Sequence, residues 1–290
     1  MSAQCTNAVD TGFVTLGYLK VAVLGVVQGI TELLPISSTA HMRVVPALLG
    51  WRDPGSAFSA AMQLAALGAV ISYFWADVRS LAIGSAGALA RRQFKDRNLQ
   101  LAVRILGATV PIAIAGVALS STLNQCGSPL RSLAVIGWAC IAMAVLLGLA
   151  ELLARHRRTM EDATMVDALI VGLAQVGALV PGISRSGSTL TAALALGYKR
   201  DEAARFSFLL GIPAIALAGV RELWTLHEIH LSLHGWSVLG LGLLVASISA
   251  FAAIWALMHM LEKFSAWPFV VYRALLGIVL LFGLSRGWLS

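Results

Sequence analysis

A chain of 290 residues in which 58% are hydrophobic and only 12% charged cannot dress a soluble core in a charged shell. Its net charge of +7 sits in short segments between apolar runs, a distribution that follows the positive-inside rule and argues against nucleic acid as a partner. The cysteines Cys5, Cys126 and Cys140 form no C-x-x-C pair, which excludes a disulfide framework and a thiolate metal site.

Residues 1–17 have no basic region ahead of an apolar stretch and do not read as a cleaved signal peptide. The first apolar segment is interrupted at Leu34-Pro35-Ile36-Ser37-Ser38-Thr39. Proline breaks a helix and frees carbonyls, and such backbone survives at membrane depth only when buried in protein or lining a polar cavity. A re-entrant helix–turn–helix hairpin is therefore expected here. Apolar runs follow at 57–75, 105–119 and 133–153, several of them near the ~20 residues that cross the hydrocarbon as a helix. Arg79, Arg91, Arg92, Lys95 and Arg97 are read as one loop, and Arg155, Arg157 and Arg158 as another.

A second interruption, Val180-Pro181-Gly182-Ile183-Ser184-Arg185-Ser186-Gly187, predicts a second hairpin. Lys199, Arg200 and Arg205 form a third basic loop. Segment 206–284 then holds three spans, with long apolar runs at 236–261 and 269–284. The tryptophans Trp51, Trp75, Trp224, Trp236 and Trp288 read as interface anchors, and Glu151, Glu202 and Glu222 as solvated span ends. His227, Glu228, His230 and His234 lack the H-E-x-x-H spacing of zinc proteases and read as an ordinary outer segment.

The two interruptions belong to an internal repeat. Gly25-Val-Val-Gln28 with Pro35 recurs as Gly172-Leu-Ala-Gln175 with Pro181, and Phe58-Ser59 recurs as Phe206-Ser207, at offsets of 146 to 148 residues. The expected fold is an all-α polytopic membrane protein of about ten helices, six transmembrane spans and two re-entrant hairpins, in one membrane domain over 1–290. Repeat one covers about 12–153 and repeat two about 163–288. Three spans per half is odd, so the second half is inverted. All three basic loops then fall on the cytoplasmic face, with 121–130, 226–235 and both termini outside.

Ionisable groups inside apolar segments mark function by default. The first interruption supplies Gln28 and Glu32 at i, i+4, and Ser38 and His41 at i, i+3; the second supplies Ser184, Arg185, Ser186 and Thr189. Aligned on the prolines, Ser38 pairs with Ser184, while the acid and imidazole come from one half and the guanidinium from the other. If the tips meet, that set suits phosphate: a planar fork of donors, a small-residue turn with a helix N-terminus behind it, and oxygen ligands for a divalent cation. Ser37 and Ser186 divide evenly between packing and substrate contact, as does Gln63 between packing and function.

The pattern Gln28-x-x-x-Glu32-x-x-Pro35-x-Ser37-Ser38-x-x-His41, with Pro181-Gly182-x-Ser184-Arg185-Ser186-Gly187-x-Thr189, resembles the undecaprenyl-diphosphate phosphatase (bacitracin-resistance) family. The likeness continues through Phe58 to Leu67 and Phe206 to Pro213 and covers nearly the whole chain. It implies hydrolysis of undecaprenyl diphosphate to the carrier monophosphate with Mg²⁺ or Ca²⁺, in the bacterial plasma (inner) membrane, at a site opening to the periplasmic side. Glu32, Ser38, His41 and Arg185 become the expected catalytic set. Ser37, Ser184, Arg185, Ser186 and Thr189 become the substrate contacts, and Glu32 and Gln28 the metal ligands. Ser59 departs from the family where an acid is expected. Expected partners are the lipid diphosphate and membrane lipid, with room for a homodimer. Ser38 activated by His41, His41 itself, or a water held by the metal all fit as nucleophile, the first being favoured. A carrier or flippase for a polyprenyl phosphate is the rival reading, and an intramembrane serine protease a weaker third.

Overall fold

The computed structural model describes residues 11–119, 130 and 132–288. Cys5, Cys126 and the expected outer segment at 121–129 lie outside them. Among the described residues there are eleven α-helices: α1 Gly17–Leu33, α2 Ser38–Leu48, α3 Ser56–Tyr73, α4 Trp75–Ala90, α5 Arg97–Ala118, α6 Leu133–Leu153, α7 Met165–Val176, α8 Arg185–Ala195, α9 Arg200–Glu228, α10 Leu233–Lys263 and α11 Trp267–Ser285. Short 3₁₀ turns at Gly12–Leu16 and Gly177–Leu179 extend α1 backwards and α7 forwards.

Six helical segments are long and apolar enough to cross a membrane: Gly12–Leu33, Arg97–Ala118, Leu133–Leu153, Arg200–Glu228, Leu233–Lys263 and Trp267–Ser285. Large apolar side chains such as Leu106, Ile114, Leu152, Ile248 and Ile278 are exposed on their outer faces, as lipid contact requires and water would penalise. The chain is a multi-pass membrane protein.

The set of spans differs from the expectation in two places, the first being that Gly12–Leu33, expected as one arm of a re-entrant hairpin, is itself long and apolar enough to cross. The second is the run 57–75, which is not a straight span, because the helix bends by 81° at Phe74 between Ala57–Tyr73 and Trp75–Ala90. Arg79 thus lies within α4 rather than in a loop, and α4 is the helix that raises the count above ten. Arg200 and Arg205 likewise belong to α9.

Serine, threonine and aspartate caps mark four helix starts among the described residues outside the two interruptions: Asp96 for α5, Ser132 for α6, Thr164 with Asp167 for α7, and Ser232 for α10. Close helix approach depends on glycine. A Cβ at Gly29 would sit 2.4 Å from Ala246 O of α10, and one at Gly172 would sit 2.3 Å from Ala108 O of α5. The main packing contacts are α1 on α10, α7 on α5, α6 on α11 and α3 on α9, with α3 also on α10 and α5 on α9.

At the end bearing the α6–α7 connection, an ionic network ties α6, α7, α8 and α9 together. Arg158 grips Asp167 with two bonds of 3.0 and 2.6 Å, and its guanidinium lies 4.7 Å from the Tyr198 ring centre. Burial alone would raise the Asp167 carboxyl, but the hydrogen bonds from Arg158 and Thr164 hold it down at about 2. Glu151 is not a solvated span end: it is 5% exposed and receives Arg200 Nε at 2.7 Å.

Candidate functional site

Two turns carry the polar groups, and both are built the same way. After Pro35 and Pro181 the chain turns into α2 and α8, and each helix is capped by a serine with positive φ: Ser37 at 74° and Ser184 at 71°. Their hydroxyls accept from Ala40 N and Gly187 N. This backbone equivalence pairs Ser37, rather than Ser38, with Ser184. The shift of one comes from Gly182, an additional residue at φ 99° where a side chain would collide with Ile136 O at 2.8 Å.

The two turns meet. Ser186 Oγ donates to Glu32 O at 3.2 Å and Leu34 O at 3.1 Å, bonding the second turn to the end of α1. Arg185 Nη2 donates to Glu32 Oε1 at 3.2 Å, an ion pair across the halves with side chains only 11% and 4% exposed. The other carboxylate oxygen, Oε2, receives Gln28 Nε2 at 3.0 Å and the Ser38 hydroxyl at 2.6 Å. Glu32 is therefore the hub of the cluster, meeting Gln28, Ser38 and Arg185.

His41 does not join that hub. Its Nδ1 lies 2.7 Å from Ser37 O, its Nε2 lies 2.6 Å from the Tyr272 hydroxyl, and the two rings lie near parallel with centres 5.7 Å apart. The expected Ser38–His41 hydrogen bond is replaced by Ser38–Glu32. At i, i+3 the two residues share a helix, but Ser38 sits at its first position, where the hydroxyl reaches back over the turn to α1.

Thr189 faces away from the acid: its hydroxyl bonds Ser207 Oγ on α9 and Arg185 O at 2.8 Å, fixing α8 against α9. Ser37 is fully buried and serves as a cap. Ser59 donates to Gly55 O of its own helix at 3.2 Å.

The structure adds two residues that the motifs did not contain. Arg273 on α11 has no exposed surface and donates to Pro35 O at 3.0 Å, Gly182 O at 2.7 Å and Ile183 O at 2.9 Å, stapling both turns from one side. Tyr272 precedes it. Both lie inside the apolar run 269–284, where an arginine is the kind of residue that signals a role.

For a divalent cation, the test is which oxygen atoms remain. Gln28 Oε1 is buried beside Glu32 and has no hydrogen-bond partner among the described residues, because its amide NH₂ is the end turned to the carboxylate. With the Glu32 carboxylate and the Ser38 hydroxyl this makes a hard-oxygen set that substrate phosphates could complete, as such cations prefer. An apolar groove of about 540 Å³ runs beside the second turn, lined by Met143, Leu146, Leu149, Ile183, Ala192 and Ala195. The hydroxyls of Ser188 and Thr191 on its wall are bonded back to Arg185 O and Gly187 O and leave it without free donors.

Residues 21–279 match the family model described as bacitracin resistance protein BacA. Among similar curated proteins, the undecaprenyl-diphosphatase 2 of Mesorhizobium japonicum is 74% identical over 263 residues, covering 91% of this chain and all of that one. The undecaprenyl-diphosphatase of Gloeobacter violaceus is 49% identical, covering 94% of each chain. That of Trichormus variabilis is 45% identical, covering 98% of this chain and 89% of its own.

Proposed function

The chain belongs to the bacitracin resistance protein BacA family, and from that premise we propose that it is an integral membrane phosphatase converting undecaprenyl diphosphate to undecaprenyl phosphate and inorganic phosphate. Recycling this carrier for cell-wall synthesis confers resistance to bacitracin. The observation that carries the reading is the Arg185–Glu32–Ser38 constellation, assembled from two turns that meet inside an apolar bundle.

Each group has a task. The Arg185 guanidinium and the Ser184 hydroxyl grip the diphosphate and stabilise the charge that develops on its equatorial oxygens. Ser38 is the nucleophile, and the hydrogen bond to Glu32 makes that carboxylate, rather than His41, the acceptor of its proton. Serine Oγ then attacks the terminal phosphorus as the bond to the bridging oxygen breaks, and water releases phosphate from the serine. His41 supplies the second proton-transfer group. Ser37 and Ser186 shape the turns that present these atoms, and Thr189 fixes the helix behind Arg185. Glu32 and Gln28, with Ser38, would hold Mg²⁺ or Ca²⁺, whose charge neutralises phosphate oxygens. The isoprenoid chain takes the apolar groove.

The architecture follows an inverted repeat of about 12–153 and 163–288 in one membrane domain, with re-entrant hairpins α1–α2 and α7–α8. Exchanging the halves maps α1 on α10 onto α7 on α5, and maps α6 on α11 and α3 on α9 onto themselves, which supports the repeat. In the bacterial plasma membrane the site opens to the periplasmic side, and a homodimer is compatible with the exposed apolar faces. The test is phosphate release from undecaprenyl diphosphate by purified protein, with and without EDTA, beside Arg185→Ala. Release that EDTA stops, that Mg²⁺ or Ca²⁺ restores, and that Arg185→Ala lacks supports the enzyme. No release under any metal from folded protein makes the polyprenyl phosphate carrier the better reading.

A further inference from the structure

We infer that Tyr272 is the positioning residue of His41: its phenol donates to Nε2 and holds the imidazole as the Nδ1–H tautomer, with its one basic nitrogen turned to α11. The inference rests on the phosphatase reading and adds to it a residue outside both motifs.

The geometry leaves the ring little choice. Ser37 O is a carbonyl and can only accept, so the proton on that side belongs to Nδ1, at 2.7 Å. In the neutral ring Nε2 is then the acceptor, and the group within reach is the Tyr272 hydroxyl at 2.6 Å. The rings lie within 10° of parallel and meet edge to edge through this contact, so the hydroxyl fixes the imidazole plane. His41 is 8% exposed while Tyr272 is 43% exposed, so the phenol is the more open member of the pair. Tyr272 is itself placed by the buried residue that follows it, since Arg273 is bonded to Pro35 O, Gly182 O and Ile183 O. One helix, α11, thus sets the spacing of the turns and the tautomer of the histidine together. Since the phenol already occupies that one basic nitrogen, a proton reaches or leaves the ring only through the Tyr272 hydroxyl.

Tyr272→Phe keeps the ring and removes only the donor. We expect kcat to fall roughly tenfold to a hundredfold with KM unchanged. The effect must also vanish when His41 is absent: Tyr272→Phe/His41→Asn is expected to be no slower than His41→Asn alone, because Tyr272 acts through that ring. Losses that multiply, or a Tyr272→Phe enzyme within about twofold of wild type, overturn the inference. A direct reading needs no variant: ¹⁵N-histidine spectra of the wild-type protein in detergent are expected to show protonated Nδ1 at His41, and an Nε2–H tautomer overturns it. Wild-type phosphate release and the inactivity of Arg185→Ala, run beside these, test the phosphatase reading separately.

Discussion

Replacing Arg273 by methionine tests how the site is held together. The guanidinium satisfies three carbonyls in two turns, at 2.7 to 3.0 Å, with no exposed surface. Methionine fills similar volume and strands Pro35 O and Ile183 O, each at about 1–3 kcal/mol for a buried unsatisfied acceptor, and leaves Gly182 O only the weak Cys140 thiol at 3.7 Å. Against that, the variant no longer buries a cation that has no carboxylate partner among the described residues, a relief of several kcal/mol. The balance is a destabilisation of about 2–5 kcal/mol, and Tm should drop by roughly 5–15 °C. Activity should fall further than stability, because Ser184 and Arg185 lose the anchor on Gly182 and Ile183 that sets them against Glu32. Arg273→Lys should recover little, since one ammonium cannot reproduce a planar fork spanning two turns. Thermal unfolding in detergent and phosphate release on the same samples are the assays. An Arg273→Met protein with unchanged Tm and unchanged turnover would refute the idea that this side chain holds the turns together.

Two further changes probe other parts of the structure. Glu32→Gln should raise the Mg²⁺ or Ca²⁺ concentration needed for half-maximal phosphate release and lower turnover if the carboxylate has both proposed roles, proton acceptor and cation ligand; an unchanged metal titration removes it from the second. Asp167→Asn should lower Tm at neutral pH while leaving turnover near wild type. The wild-type carboxyl is held below its ordinary value, so its contribution is fully present above about 3.8 and is lost as pH falls through about 2. The Tm difference between wild type and variant should therefore close over that window, and a difference independent of pH would contradict the assignment.

Much of the site was legible because its residues offend their surroundings. Pro35 and Pro181 break apolar segments, and Glu32, His41 and Arg185 are ionisable where lipid would exclude them. Their meeting, unlike their presence, depended on three-dimensional contacts such as Ser186 with Glu32 O and Leu34 O. Arg273 carried the same warning inside 269–284, but no motif surrounds it and its partners are backbone carbonyls, which leave no trace in residue types. The bend at Phe74 was illegible for a plainer reason: neither proline nor glycine marks it, and a run of apolar residues looks alike whether straight or folded by 81°. Anchoring the repeat on its prolines shifts the register by one, because the backbones match at the serine caps, Ser37 and Ser184, and Gly182 is an additional residue in the second turn.

The position of Arg273 has a consequence for how the protein is made. Glu32 enters the bilayer with α1, and its guanidinium partner follows only with α8. Both turns then wait for α11, the third helix after α8, before these carbonyls meet Arg273. Until then the nascent chain carries first an unpaired carboxylate and then two broken helices whose carbonyls lipid cannot solvate. The polar cluster is complete only once α11 is in place, so a polypeptide that stops short of α11 lacks the staple as well as the helix.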